Sequence, residues 1–218
     1  ILISGANRGI GLNIAHKELK AGNRISIGLR DLESVKGSVI DPNNWSNEKI
    51  LLNKYDALDK FSAKEWVENT VSKFGGFDTL INCSGVLSKV PFLYKDGDEE
   101  EILNTFNINF LAIWHLCRLS WKHLSQSNNG RIIVLVSMSG KRSKGDLAAY
   151  SSSKFALMSL CQTMKNKGWK ENIRVTAICP SWVNTKMADK ISSLEKSKMT
   201  QPGDIAEICS TVLKLPMQ

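Results

Sequence analysis

The stretch Ser4-Gly5-Ala6-Asn7-Arg8-Gly9-Ile10-Gly11 decides the fold. It follows an apolar run at 1–4 that reads as a strand, and it opens an amphipathic segment at 10–21 that reads as a helix stopped by Gly22. Glycines let a chain turn sharply and approach a bound group closely, and the first turn of a helix offers unpaired N–H groups to an anion such as a pyrophosphate. The spacing is G-x-x-x-G-x-G. Three glycines after a strand are a weak signal on their own, because glycine is frequent in tight strand-to-helix turns; the place of this turn at the first such junction gives it weight. Gly5, Asn7, Arg8, Gly9, Ile10 and Gly11 are therefore the first set of candidate binding residues.

The rest of the chain extends the same pattern. Strand-like runs at 24–29, 50–55, 79–82, 131–137 and 174–179 alternate with helix-like segments at 62–74, 99–124, 147–167 and 202–213. Several strands are apolar at nearly every position, as strands covered on both faces are. The alternation predicts an α/β fold: a Rossmann-like, doubly wound parallel sheet flanked by helices, in a single domain over residues 1–218. A hydrophobic share of 42% and a charged share of 23% are ordinary for a globular chain and exclude disordered and collagen-like classes. No run approaches the roughly 18 apolar residues of a membrane span. The acidic run 96–101 reads as the negatively charged first turn of a helix rather than a metal site. The five cysteines form no C-x-x-C pair and the three histidines no metal-like spacing, so no metal is expected, and reduced thiols in a cytoplasmic protein are. The net charge of +8 raises nucleic acid as a partner. However, the 29 basic residues are scattered among 21 acidic ones and no nucleic-acid motif appears.

The second strand ends at Leu29-Arg30. In dinucleotide folds that end faces the adenosine ribose, where an acid selects NAD. Here no acid stands at the strand end, and Arg8 and Arg30 could clamp a 2′-phosphate together, which favours NADP(H) over NAD(H). The competing reading is two surface arginines, and Asp31 beside Arg30 counts towards it.

Tyr150-Ser151-Ser152-Ser153-Lys154 places a phenol and an ammonium on one helix face. A cation there stabilises a phenolate, and a phenol so tuned can exchange a proton with a substrate oxygen. Chance alone yields a Tyr-x-x-x-Lys in a chain of this composition roughly a quarter of the time, so context decides. Ser137, thirteen residues earlier, ends an apolar strand and can donate a hydrogen bond to a carbonyl.

Taken in order, these motifs resemble the short-chain dehydrogenase/reductase family over nearly the whole chain. Ser4 to Gly11 match its glycine motif, with Ser in place of Thr. Asp56, followed by Ala57, matches the acid after the third strand that contacts adenine. Asn82-Cys83-Ser84-Gly85 matches N-N-A-G at its ends only. Asn109 matches an Asn of the next helix, and Ser137, Tyr150 and Lys154 complete a tetrad. Pro180 to Thr185, including Val183, match the segment that holds the nicotinamide. The resemblance implies an NADP(H)-dependent oxidoreductase that passes a hydride between nicotinamide and a small carbonyl or alcohol, usually as a homodimer or homotetramer. Tyr150 is then the general acid or base. Lys154 lowers its pKa and binds the nicotinamide ribose, Ser137 polarises the carbonyl, and Asn109 holds a water that links Lys154 to solvent.

Cys83, Ser84 and Ser181 depart from the family pattern. The chain opens inside its first strand and stops at Gln218 before the family's seventh strand, so the resemblance implies a few residues missing ahead and a last strand behind. The loop Lys141-Arg142-Ser143-Lys144 suits an anionic substrate or is simply solvated. Met187, Ile191 and Leu194 are at helical spacing in a short lid, and Trp114, Leu116, Leu119 and Trp121 are either interface or core. The alternative function is a protein of the same fold that binds NADP as a sensor or scaffold without turnover.

Overall fold

The computed structural model describes residues 1–143 and 145–217. Six strands, β1 (Leu2–Ser4), β2 (Ile25–Leu29), β3 (Ile50–Lys54), β4 (Thr79–Asn82), β5 (Gly130–Leu135) and β6 (Ile173–Ile178), form one sheet in the order β3-β2-β1-β4-β5-β6. Every pairing is parallel. The helices are α1 (Gly9–Lys20), α2 (Lys60–Phe74), α3 (Glu99–Phe106), α4 (Ala112–Gln126), α5 (Ala148–Gly168) and α6 (Pro202–Lys214). The sheet is the doubly wound one that the strand and helix alternation predicts.

Period-two alternation splits the sheet between two cores. Leu2, Leu80, Ile132 and Val134 pack on one face against Trp66 of α2, Leu116 of α4 and Leu157 of α5. Ile3, Ile27, Ile81 and Ile133 pack on the other against Ile14 and Ala15 of α1 and Ile205 of α6. Helix ends follow local chemistry. Asp59 caps α2 by accepting from the Phe61 N–H, and Gly75 closes it at φ +77°. Gln201 and Asp204 cap each other's backbone at the start of α6. The acidic run does begin a helix, with Glu99, Glu100 and Glu101 in the first turn of α3.

Two boundaries differ from expectation. The segment 99–124 is not one α-helix: Asn107–Leu111 form a π turn between α3 and α4. Also, β5 ends at Leu135, so Ser137 lies beyond the strand, with a φ of +140° that a non-glycine residue rarely adopts. Of the four α4 residues expected to be either interface or core, Leu116 is core, Trp114 is half exposed, and Leu119 and Trp121 are partly buried. No helix of the described residues is long and apolar enough to cross a membrane.

Candidate active site

The strand order reverses between β1 and β4, and in such sheets the crevice lies beyond the carboxyl ends of the strands. A cleft of about 1070 Å³ runs there along the sheet. The predicted binding and catalytic residues all line it except Asn82 and Asn109.

At the β1 end the wall is made by absent side chains. Gly5 and Gly9 have φ of +69° and +56°. A Cβ on Gly5 would lie 2.9 Å from the Ser84 nitrogen, and one on Gly11 would overlap the Gly5 carbonyl oxygen. No side chain caps α1 and no acid stands in its first turn, so its N–H groups and dipole are open to an anion. The Ser4 hydroxyl accepts from the N–H groups of Cys83 (3.2 Å) and Ser84 (3.3 Å) and so ties the glycine turn to the end of β4. Asp56 lines the cleft while its Oδ1 accepts from the Leu58 N–H at 2.9 Å. Arg8 and Arg30 are both exposed, and among the described residues no carboxylate pairs with either. Asp31, which counted against the arginine clamp, accepts from the Glu33 N–H at 3.0 Å and caps its own turn.

Towards β5 the wall is made of side chains. Ser137 accepts from the Ser139 N–H at 3.1 Å, and the turn at Met138–Gly140 packs so closely on α5 that a Cβ on Gly140 would lie 2.7 Å from the Lys154 carbonyl oxygen. The Lys154 ammonium donates to the Leu135 carbonyl at 3.2 Å and stands 5.7 Å from the centroid of the Tyr150 ring. Burial brings the Lys154 pKa down to about 8. The Tyr150 phenol is pushed above its ordinary value by burial and partly drawn back by the Ser137 hydroxyl.

Asn82 and Asn109 sit behind the wall. Asn82 is fully buried and donates to the Cys117 sulfur at 3.5 Å on the side of the sheet away from α1. Asn109, also fully buried, uses both amide donors, one on the Val86 carbonyl (2.9 Å) and one on the Ser153 hydroxyl (3.2 Å), and its Oδ1 accepts from the Val86 N–H. Ser153 in turn donates to the Tyr150 carbonyl at 2.7 Å. The Asn109 amide is thus a clamp between the loop after β4 and α5 rather than a group facing the cleft. Gly85 is the gap through which it comes near Lys154: a Cβ there would lie 3.2 Å from the Asn109 Oδ1 and 3.7 Å from the Lys154 Nζ.

Ser4, Ser153 and Trp182 belong to the quoted motifs but were not among the candidate site residues. The first two are motif neighbours whose hydroxyls hold the frame; Trp182 lines the cleft directly. In the lid, Met187 and Ile191 line the cleft and Leu194 does not. Of the cationic loop, Arg142 lines it, Lys141 does not, and Lys144 lies outside the described residues.

The family model for the short chain dehydrogenases matches residues 1–196. The chain belongs to the short-chain dehydrogenase family. It is 32% identical over 216 residues to an agropine synthesis reductase of Rhizobium rhizogenes, covering 99% of this chain and 49% of that protein. It is 30% identical over 220 residues to a diacetyl reductase, (S)-acetoin forming, of Staphylococcus epidermidis, covering 98% of this chain and 83% of that one. The chain thus spans about half the length of the agropine synthesis reductase. Among solved structures, it shares its fold with a short-chain type dehydrogenase/reductase of Mycobacterium ulcerans (TM-score 0.88, 18% identity, covering 98% of this chain and 82% of that one). It also resembles an alcohol dehydrogenase of Thermococcus sibiricus complexed with 5-hydroxy-NADP (TM-score 0.81, 22% identity, covering 100% and 91%). These family members are reductases and dehydrogenases, which makes this chain a member of an oxidoreductase family.

Proposed function

We propose that the protein is an NADP(H)-dependent oxidoreductase that exchanges a hydride with a small carbonyl or alcohol, with Tyr150 as general acid and base. One observation carries this reading: Ser137, Tyr150 and Lys154 converge on the same cleft as a glycine cradle that a Cβ would fill. The open N-terminus of α1 suits a pyrophosphate, and the arginines Arg8 and Arg30, without acidic partners among the described residues, suit a 2′-phosphate. The NADP derivative in the Thermococcus sibiricus structure supports that choice, and the relatives named as reductases support the direction. A bound nicotinamide would supply the hydride.

The chain's own residues then handle the proton. As the electron pair arrives at the carbonyl carbon, the Tyr150 O–H bond breaks and its proton passes to the carbonyl oxygen, giving an alcohol. The Ser137 hydroxyl donates to the developing alkoxide. Lys154, held by the Leu135 carbonyl, places a positive charge near the phenolate that remains until solvent returns the proton. Asn109 and Ser153 keep α5 and the Val86 segment in register, and Asn82 supports β4 from beneath. In this reading residues 1–218 act as one nucleotide-binding unit. Exposed Leu103, Leu111 and Trp114 on α3, the π turn and α4 support a homo-oligomer, and three buried cysteines without disulfides support a reducing compartment such as the cytoplasm.

The test pairs two measurements on Tyr150→Phe: NADPH binding by fluorescence, and turnover against a panel of carbonyls. Binding within about 3-fold of wild type with turnover down by about 100- to 10,000-fold supports the assignment. A wild type that binds NADPH yet reduces and oxidises nothing is a sensor or scaffold, and a Phe variant that keeps most activity removes Tyr150 from its role.

A further inference from the structure

Charge is distributed unevenly along the cleft. The acids that line it, Asp31 and Asp56, follow β2 and β3, and each already accepts from a backbone N–H, of Glu33 and Leu58 respectively. β5, beyond whose end Ser137 and Tyr150 of α5 line the cleft, lies three to four strands away, about 14–19 Å at the usual spacing. At that end the lining charge besides Lys154 is Arg142, in the loop after β5; Lys186, at the start of the lid after β6, follows Thr185, whose side chain lies against Gly9. Arg142 is exposed, and among the described residues no carboxylate pairs with it. Among the described residues, the reacting end of the cleft is therefore cationic with no acid on its wall.

Arg142 is held in place by the same turn that aims Ser137. The N–H groups of Lys141 and Arg142 both donate to the Met138 carbonyl, at 2.9 and 3.0 Å, and the Met138 N–H donates to the Pro180 carbonyl at 2.9 Å. Gly140 seats the turn against the backbone of α5. The Arg142 backbone is thus fixed relative to Ser137 and Tyr150, while its side chain lines the cleft. A guanidinium fork without a carboxylate partner among the described residues, on a backbone set relative to a carbonyl-polarising serine, matches a carbonyl compound with a second, anionic group.

We infer that the substrate carries a carboxylate, and that Arg142 selects it. This rests on the carbonyl-reduction reading above and names the substrate class for that site. The partners are complementary: Arg142 takes the carboxylate by paired N–H···O bonds while Ser137 and Tyr150 take the carbonyl oxygen.

The test loads the protein with NADPH and runs calorimetry and turnover in parallel. The probes are pyruvate, acetoacetate and levulinate, their methyl esters, and dihydroxyacetone phosphate against dihydroxyacetone. At least one acid is expected to bind and react about 10- to 100-fold better than its ester, the range of a charge-assisted hydrogen bond. Arg142→Gln then brings the acid-to-ester ratio towards one, chiefly through KM, and Arg142→Lys retains part of it. Esters that bind and react as well as acids, a ratio untouched in Arg142→Gln, or an Arg142-dependent preference for the phosphate over every acid would each overturn the inference. The two readings fail separately. Acids bound through Arg142 but not reduced sink hydride transfer and leave the anion site standing. Neutral carbonyls reduced while acids are excluded do the reverse.

Discussion

At the β1–β3 end of the cleft the wall is mostly backbone: two glycines at positive φ, a third with no room for a Cβ, and a helix start without a cap. At the β5–β6 end it is side chains on constrained backbone: Ser137 at φ +140°, Lys154 buried with a lowered pKa, and an asparagine clamp on a π turn. The difference suits the tasks proposed for the two ends. Holding a phosphate takes N–H groups and close approach, which removing side chains provides. Moving a proton takes a titratable group in a fixed place, which burial and a rigid frame provide at a cost in local stability.

The largest expected effect breaks this contrast in both directions. Tyr150→Phe should remove turnover and spare NADPH binding. Gly11→Ala should do the opposite: the new methyl overlaps the Gly5 carbonyl, and relief of the clash should weaken NADPH binding by about 10- to 100-fold, the equivalent of 1–3 kcal/mol of overpacking. Titration of both variants checks the pair, and a Gly11→Ala protein with wild-type NADPH affinity would remove the backbone cradle from the account.

A smaller effect separates the two cofactors within one end. Arg8→Ala and Arg30→Ala should each weaken NADPH by about 10-fold, less than a buried charge pair would lose because both arginines are exposed, and leave NADH nearly unchanged. Equal losses for both cofactors would mean the arginines do not read the 2′-phosphate.

The smallest concerns Lys154 and pH. Its folded pKa is about 8 against an ordinary 10.5, so between those values the unfolded chain holds the proton that the folded one has lost. Stability should therefore rise with pH across that window. Urea midpoints of wild type and Lys154→Met, measured from pH 8 to 10, should diverge, with the rise confined to the wild type. Parallel slopes would show that Lys154 is not destabilised as a cation.

Much of this was legible from spacing. The glycine turn, the strand order's parallel alternation and the Tyr150–Lys154 pair are local patterns, and local patterns survive in a sequence. What was not legible depends on contacts between distant segments. Ser153 reads as one serine among three, and its bond with Asn109, 44 residues away, marks it as part of the frame. The π turn hides in 99–124 because its apolar residues keep helical spacing on both sides. Asn82 shares a motif with Ser84 and Gly85, yet it ends β4 and is buried against Cys117, while the other two stand in the loop that lines the cleft. The direction of the Tyr150 shift needed its burial, which the helix pattern alone does not give. Likewise, only the fold separates Arg142 from Lys141 in the cationic loop.

The central claim is that this cleft passes a hydride between a nicotinamide and a carbonyl. It is tested most directly with NADPH carrying deuterium at the nicotinamide carbon that gives up the hydride. A reducible carbonyl should yield an alcohol with one deuterium on its carbinol carbon, formed by wild type and not by Tyr150→Phe. NADPH bound in the cleft with no deuterium delivered to any carbonyl would contradict the claim.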